Sequence, residues 1–313
     1  MEESKGKEFI FTWVIENFSF FNQRHKVAID SPNFIADKIE KSKWNVRLFP
    51  EGYICENYLE VYLRPENGVQ FSHKINLEFQ MIAVDRVIKT MTIYNLFDNN
   101  LVPGCLKFLH TDIIKNDRDI YLPHDTLTLR CRLWYPDRFR IQEILESGQC
   151  FARTRMGVER MCFVWDLVEF STLQPDLKKT FPITAASGEI PLKSINLFWT
   201  KTCSSEEMNV EIVLRANENI VCKCKLSILG FEGTIIDLVR NERYVIADEN
   251  TQIWILPPLF SKKHLMARKG AYLNNDTLSL KCEFAFSTGI VSKEIEETYI
   301  GPKIHHSVGK RYP

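Results

Sequence analysis

Near the N-terminus stands the stretch Phe9-Ile10-Phe11-Thr12-Trp13-Val14-Ile15-Glu16-Asn17-Phe18-Ser19. Half a chain later the same device returns as Phe163-Val164-Trp165-Asp166-Leu167-Val168-Glu169-Phe170-Ser171. This repeat constrains the fold more than any other feature, because it reads the chain as two copies of one unit. In the first copy Phe9, Phe11, Trp13 and Ile15 share one face of an extended segment, since side chains alternate with period two along a strand. Asn17 and Ser19 interrupt the apolar run with short polar side chains that bond their own backbone and favour a turn. The spacing between copies is nearly constant: Phe11 to Phe163 is a step of 152, and Tyr58 to Asn209 and Asp125 to Asp276 are steps of 151. With 313 residues, and about 150 as a common domain size, length independently predicts two domains.

Between these landmarks the apolar stretches are short, alternating and separated by turn-forming residues, the pattern of an antiparallel sandwich. Residues 44–49 read as a strand closed by Pro50-Glu51-Gly52, where a fixed φ is followed by a free one. In the next strand, 58–64, Leu59, Val61 and Leu63 take one face, while Tyr58, Glu60, Tyr62 and Arg64 take the other. Pro65-Glu66-Asn67-Gly68 is a turn by composition, and residues 75–84 form another strand. Asp98-Asn99-Asn100 reads as a loop, and Pro103-Gly104 argues against an undisturbed strand there. Residues 108–114 suggest a short helix or turn, and 126–134 a closing strand. The expected organisation is all-β: a first domain at 5–136, a charged linker at 137–160, a second domain at 161–288, and a polar, mobile tail at 289–313 that holds too little apolar content for a further core.

The opening string is followed in order by Trp44-Asn45-Val46-Arg47-Leu48-Phe49-Pro50-Glu51-Gly52, Tyr58-Leu59-Glu60-Val61-Tyr62-Leu63 and Leu122-Pro123-His124-Asp125-Thr126-Leu127-Thr128-Leu129-Arg130-Cys131. This series resembles the MATH (meprin and TRAF homology) domain, in particular that of the speckle-type POZ protein family. The resemblance implies two tandem antiparallel β-sandwiches of about eight strands each, and a shallow groove across one sheet that receives an extended peptide. By position, Tyr62 matches a groove tyrosine and Arg47 a groove-proximal arginine, with Tyr58 on the same face as Tyr62. Leu77 stands where the family has an aromatic. Val102-Pro103-Gly104-Cys105-Leu106-Lys107 stands where it has Asp-Trp-Gly-Phe-Lys-Lys, so Gly104 and Lys107 are retained. In the second unit Val213 occupies the position of Tyr62, and Trp254 is the candidate groove aromatic. The competing reading covers Tyr58 and Tyr62 with a neighbouring loop and buries Trp254 in its own sandwich. Because Pro103, Cys105 and Leu106 offer less area and no aromatic face, the Ser/Thr-rich degron of that family is expected to bind poorly.

Chemistry is scarce. No Gly-rich phosphate loop, His-Glu-x-x-His helix, Gly-x-Ser-x-Gly elbow or Cys-x-x-Cys pair occurs, which argues against an enzyme. Nine cysteines without an export signal read as reduced thiols that fill core space, Cys105 and Cys150 included. Cys222 and Cys224 share a strand face but lack a second ligand pair, so no metal and no cofactor is expected. Forty basic and forty acidic residues cancel, which proposes neither nucleic acid nor an anionic membrane as partner. With no apolar run of membrane length and no signal-peptide core, the chain reads as intracellular, nuclear or cytoplasmic.

The partners implied by the resemblance are proteins gripped through extended peptide segments. Its wider role would be recruiting substrates to a cullin-RING ubiquitin ligase, with a BTB domain supplied elsewhere, since the chain stops where one would begin. A fragment, a shortened paralogue or a competitor would fit that description. The alternative is a TRAF-like structural or signalling adaptor without a ubiquitination role, although no heptad run supports a trimeric stalk.

Overall fold

The computed structural model describes residues 7–21, 24–39, 41–66, 74–84, 86–96, 104–136, 146–175, 177–184, 190–201, 206–230, 232–247 and 251–301. The chain is all-β, with strands in mostly antiparallel sheets and a few short helices, and it divides into two compact units. Unit 1 is Met1–Gly157 with Ile290–Pro313, and unit 2 is Val158–Gly289.

Unit 1 is assembled from β1 (Lys7–Glu16), β2 (Ile29–Asp30), β3 (Phe34–Ala36), β4 (Ser42–Phe49), β5 (Tyr58–Pro65), β6 (Ile75–Ala83), β7 (Arg86–Leu96), β8 (Gly104–His110), helices α1 (Thr111–Asn116) and α2 (Arg118–Tyr121), β9 (Thr126–Trp134) and the first part of β10 (Glu146–Leu167). One sheet runs β10-β1-β9-β6-β7, and a second runs β2-β4-β5-β8 with β3 beside β4. The alternation in the sequence sets the core: Phe9, Phe11, Trp13 and Ile15 of β1 are buried, as are Trp44, Val46 and Leu48 of β4 and Leu59, Val61 and Leu63 of β5. Phe34 stacks on Phe11 with ring centroids 3.9 Å apart. Each such side chain is worth about 1.5–3 kcal/mol when taken out of water, which is why one face of every strand is committed inward.

Asn17 sits in the left-handed region at φ 54°, and a 3-10 turn at Phe18–Phe20 follows it. Ser19 then donates from Oγ and from its backbone N to Asp125, at 2.7 and 3.0 Å, and so ties the corner to the start of β9. The short helix read at 108–114 begins later than expected, at Thr111, because Phe108 and Leu109 are spent in the bulged strand β8.

Two expectations differ from what is observed. Residues 146–160, read as linker from their charge, are strand, and β10 lies parallel to β1 with Lys7 opposite Glu146 and Glu16 opposite Arg155. Cys150, Ala152, Thr154 and Met156 alternate inward, but these small and polar core residues hide the period; Thr154 Oγ1 accepts from Trp13 Nε1 at 2.9 Å. Arg153 and Arg155 alternate outward to pair with Glu16. Residues 290–301, read as mobile tail, are also strand, as the end of β17 (Leu278–Gly301). Residues 137–145 and 302–313, His305 and His306 among them, lie outside the described residues, as do Asn67, Gly68 and the 98–100 loop.

Unit 2 follows the same order of elements: the end of β10, a 3-10 turn at Phe170–Thr172, β11 (Lys179–Pro182), β12 (Leu192–Lys201), β13 (Glu206–Leu214), β14 (Ile220–Leu229), β15 (Ile235–Val245), β16 (Gln252–Ile255), helices α3 (Lys262–Ala267) and α4 (Lys269–Tyr272), and the first part of β17. Its sheets are β11-β12-β13-β16 and β10-β17-β14-β15. Glu169 is left-handed at φ 54°, and Ser171 Oγ donates to Asp276 at 2.6 Å, which repeats the corner latch of unit 1.

Candidate functional site

The outer face of the β2-β4-β5-β8 sheet gathers most of the residues singled out from the sequence. Pairing places Asp30 opposite Arg47, Arg47 opposite Tyr62, and Tyr62 opposite Gly104, a row that crosses all four strands. Because these positions alternate with the buried Leu48 and Val61, the row faces away from the core. Arg47 grips Asp30 through two bonds of 2.6 Å, from Nε and Nη2. Burial alone would raise the Asp30 carboxyl, but the bidentate guanidinium outweighs it and holds Asp30 below its ordinary range. Arg64 and Lys293 add to the same field.

The residue that organises this face is Glu60, in the sequence a plain polar position of β5. Glu60, fully buried at 0% exposed, accepts from the Tyr62 hydroxyl at 2.7 Å and from the backbone N–H groups of Ile54 and Cys55. A buried carboxylate is tolerated only when its oxygens are bonded, and here those bonds fix both the tyrosine and the 51–57 loop. The loop reverses through Gly52 at φ 74°, then presents exposed Tyr53 and Ile54 beside the ring of Phe49, which meets Tyr53 at 5.1 Å and Tyr62 edge-on at 5.7 Å. An acid placed between two tyrosines on the polar face of a strand was the available signal for Glu60.

At the sheet edge, β8 takes four residue steps from Cys105 to Leu109 while β5 takes two from Val61 to Leu59. This bulge explains the Pro103-Gly104 warning, and it turns Phe108 inward while Lys107 stays exposed, its Nζ 5.4 Å from the centre of the Tyr58 ring. His110 meets the same ring edge-on at 4.9 Å. Gly104 lies directly over Tyr62, where a Cβ would overlap the ring at Cδ1. Pro103 and the side chains of Cys105 and Leu106 lie outside the described residues.

Tyr62, Arg47, Tyr58, Gly104 and Lys107 therefore share one face of unit 1, and both tyrosines are half-buried. Two positions are placed elsewhere. Leu77 is core, paired with Leu133 across β6 and β9. Trp254 is 5% exposed, paired with Ile212 inside the unit 2 core, so it offers no ring to a ligand. Strand alternation decides this: Ile253 and Ile255, at 53% and 60%, are the side chains of β16 that face outward. Cys222 and Cys224 also belong to the unit 2 core, where burial raises both thiols, Cys224 to about 12, so both are protonated at neutral pH. Cys150 is buried and raised in unit 1. Among the described residues no helix is long and apolar enough to cross a membrane.

Residues 10–133 match the MATH domain. The match covers the strands that build the Tyr62 face. The chain is 31% identical over 137 residues to TD and POZ domain-containing protein 1 of Mus musculus, a stretch that covers 42% of this chain and 37% of that protein. TD and POZ domain-containing protein 1-like of Mus musculus is 30% identical over 136 residues, with 42% of this chain and 37% of the relative covered. TD and POZ domain-containing protein 3 of Mus musculus is 27% identical over 135 residues, with 41% and 36% covered. The chain thus spans a little over a third of the length of these curated relatives.

Proposed function

We propose that this chain is a non-catalytic protein-interaction module that takes extended peptide segments of partner proteins across the Tyr62 face of unit 1. One observation carries the reading: Tyr62 is held by Glu60 under the small Gly104, beside an edge strand and a loop that displays Tyr53 and Ile54. A half-buried aromatic with its hydroxyl already bonded presents ring area to an apolar anchor at little entropic cost, and an edge strand offers backbone groups to an extended chain. Gly104 brings that edge close to the ring.

Unit 2 is read as a second MATH-like domain, from its element order and its Ser171–Asp276 latch. The wider role is that of a substrate-recognition part, or a paralogue of one, for a cullin-RING ubiquitin ligase, with a POZ domain of the kind named in the relatives supplied elsewhere. The second reading is a TRAF-like adaptor without that link. Capture of cullin complexes by the chain only when a POZ-bearing partner is added would favour the first, and capture of signalling partners alone the second.

The binding test is a screen of an extended-peptide library against the whole chain and against Tyr62→Ala. Peptides captured by the first and lost by the second support the face, whereas a screen indifferent to Tyr62→Ala rejects it. Fluorescence polarisation with a Ser/Thr-rich degron should show binding weaker than micromolar. Micromolar binding would reverse the carry-over of groove positions.

A further inference from the structure

The end of β17, residues 290–301, is the edge strand of the unit 1 sheet, next to β10. On its other side no strand pairs with it among the described residues, since β14 reaches only as far as Phe286. Edge strands of soluble proteins are commonly blunted by short length, charged side chains, proline, bulges or a covering loop, and of these, among the described residues, this strand has only its charges, Lys293, Glu294, Glu296 and Glu297. This one contains no proline, and exposed Ile290, Val291, Ile295 and Tyr299 lie along it, Val291 at 61%. Arg153 of β10 holds it through Glu296, so the strand is fixed to its sheet on that side.

The order of its side chains is self-complementary. When the strand is laid antiparallel to a second copy about a two-fold axis at Ile295, Val291 falls opposite Tyr299, Lys293 opposite Glu297, and Ile295 opposite itself. All of these odd-numbered positions share one face, and two-fold symmetry makes each unlike pair twice. On the other face Ser292 meets Thr298, and Glu294 meets Glu296, whose charge Arg153 already engages. β-branched against aromatic, and cation against carboxylate, are the cross-strand pairs that stabilise antiparallel ladders.

We propose that residues 290–301 are a homodimerisation edge, through which two copies of this chain join their unit 1 sheets into one antiparallel ladder. A single strand buries less than a standard interface, so the dimer is weak, with a dissociation constant of about 10–100 μM.

Sedimentation equilibrium of the whole chain from about 1 to 300 μM measures this association directly. Concentration-dependent dimer is expected, and a monomer throughout overturns the proposal. Lys293→Glu sets Glu against Glu at two symmetric places, and Glu297→Lys sets Lys against Lys. Each should weaken the dimer about tenfold or more. The double variant Lys293→Glu/Glu297→Lys restores opposite charges and should restore dimerisation. Lys293 also lies within the field of Asp30 inside the same chain, and the swap does not repair that contact. Recovery in the double variant therefore reports the intermolecular pair. A dimer insensitive to both single variants, or a double variant no better than Lys293→Glu, places the interface elsewhere. Circular dichroism on each variant separates loss of association from loss of fold.

Discussion

Corresponding strands of the two units, β5 and β13, each carry a buried glutamate on the outer face, and the two glutamates are used differently. Glu60 spends its bonds on a loop backbone and a tyrosine hydroxyl, and so fixes a surface that displays aromatic rings. Glu211, one repeat later, spends its bonds on Lys178 and on Asn196, each at 2.7 Å. Around Glu211 the positions of Tyr58 and Tyr62 are taken by Asn209 and Val213, and Asn209 donates to Thr200 of the neighbouring β12. Lys178 additionally covers the Phe198 ring at 5.1 Å. The scaffold tolerates a buried acid at this place as long as its oxygens are bonded, and the choice of donors decides whether the face is organised for contact or closed on itself. The exposed Ile253 and Ile255 give unit 2 an apolar strip, while its half-buried outer ring, Phe198, lies under Lys178.

The sharpest way to break this comparison is to exchange the roles of its two aromatics. Trp254→Ala should cost unit 2 about 3–5 kcal/mol, because it opens a cavity among buried side chains, whereas Tyr62→Ala should cost unit 1 about 1 kcal/mol or less while abolishing peptide capture. Denaturant dependence of amide exchange, read separately on strand amides of each unit, measures both. Equal destabilisation by the two variants would dissolve the distinction between a core ring and a binding ring. The next effect is at Glu60. Glu60→Ala leaves the Ile54 and Cys55 amides and the Tyr62 hydroxyl without their shared acceptor, and unit 1 should lose about 3 kcal/mol. Glu211→Ala should lose about 1 kcal/mol, because half-exposed Lys178 can turn to water. Protection of the Ile54 and Cys55 amides should collapse in Glu60→Ala alone. Smaller again is Gly104→Ala, where the new methyl must displace the Tyr62 ring, at a cost of about 1–3 kcal/mol. Peptide capture should fall with it as far as in Tyr62→Ala, and capture kept at the wild-type level would remove Gly104 from the site.

How much of this was legible follows from which residues carried the period. β1, β4, β5 and β9 alternate large apolar with polar side chains, and each lies within a residue or two of the span read from the sequence. The first part of β10, residues 146–160, is hidden because Cys150, Ala152 and Thr154 are small or polar core residues and their outward neighbours are arginines, so a strand looks like a charged linker. The end of β17 was missed because both of its faces are exposed, which leaves no apolar side to reveal a period of two. At the site, Tyr62, Arg47 and Gly104 could be placed on one row because pairing carries alternation from strand to strand. Glu60 could not be read as an organiser, since its partners are backbone groups of a loop that no pattern marks. For Trp254 the sequence leaves the groove and the sandwich interior open, and the interior holds it, because Ile253 and Ile255 take the outward positions of β16.

The smallest expected effect separates the two faces by pH. Burial by itself would raise the Glu211 carboxyl, but the bonds from Lys178 and Asn196 hold it below its ordinary value of 4.5. Asp30 lies below its ordinary 3.8, with the Arg47 bidentate pair outweighing burial. A carboxylate whose pKa is lower folded than unfolded contributes stability in full above the unfolded value and loses it as pH falls through the folded value. Unit 2 should therefore begin to weaken as pH drops below about 4.5, and unit 1 should feel Asp30 only below about 3.8. Because Lys178 and Arg47 are partly exposed, salt screens both pairs, and each should be worth less than about 1 kcal/mol. Glu211→Gln keeps the size and the Asn196 contact but removes the proton-sensitive group, so the acid limb of unit 2 should flatten while that of unit 1 is unchanged. Asp30→Asn should do the reverse. Amide exchange of each unit between pH 5 and about 3 reads this. An acid limb in unit 2 that runs parallel in wild type and Glu211→Gln would mean that Glu211 titrates alike folded and unfolded, and the contrast between the two buried acids would then rest on geometry alone.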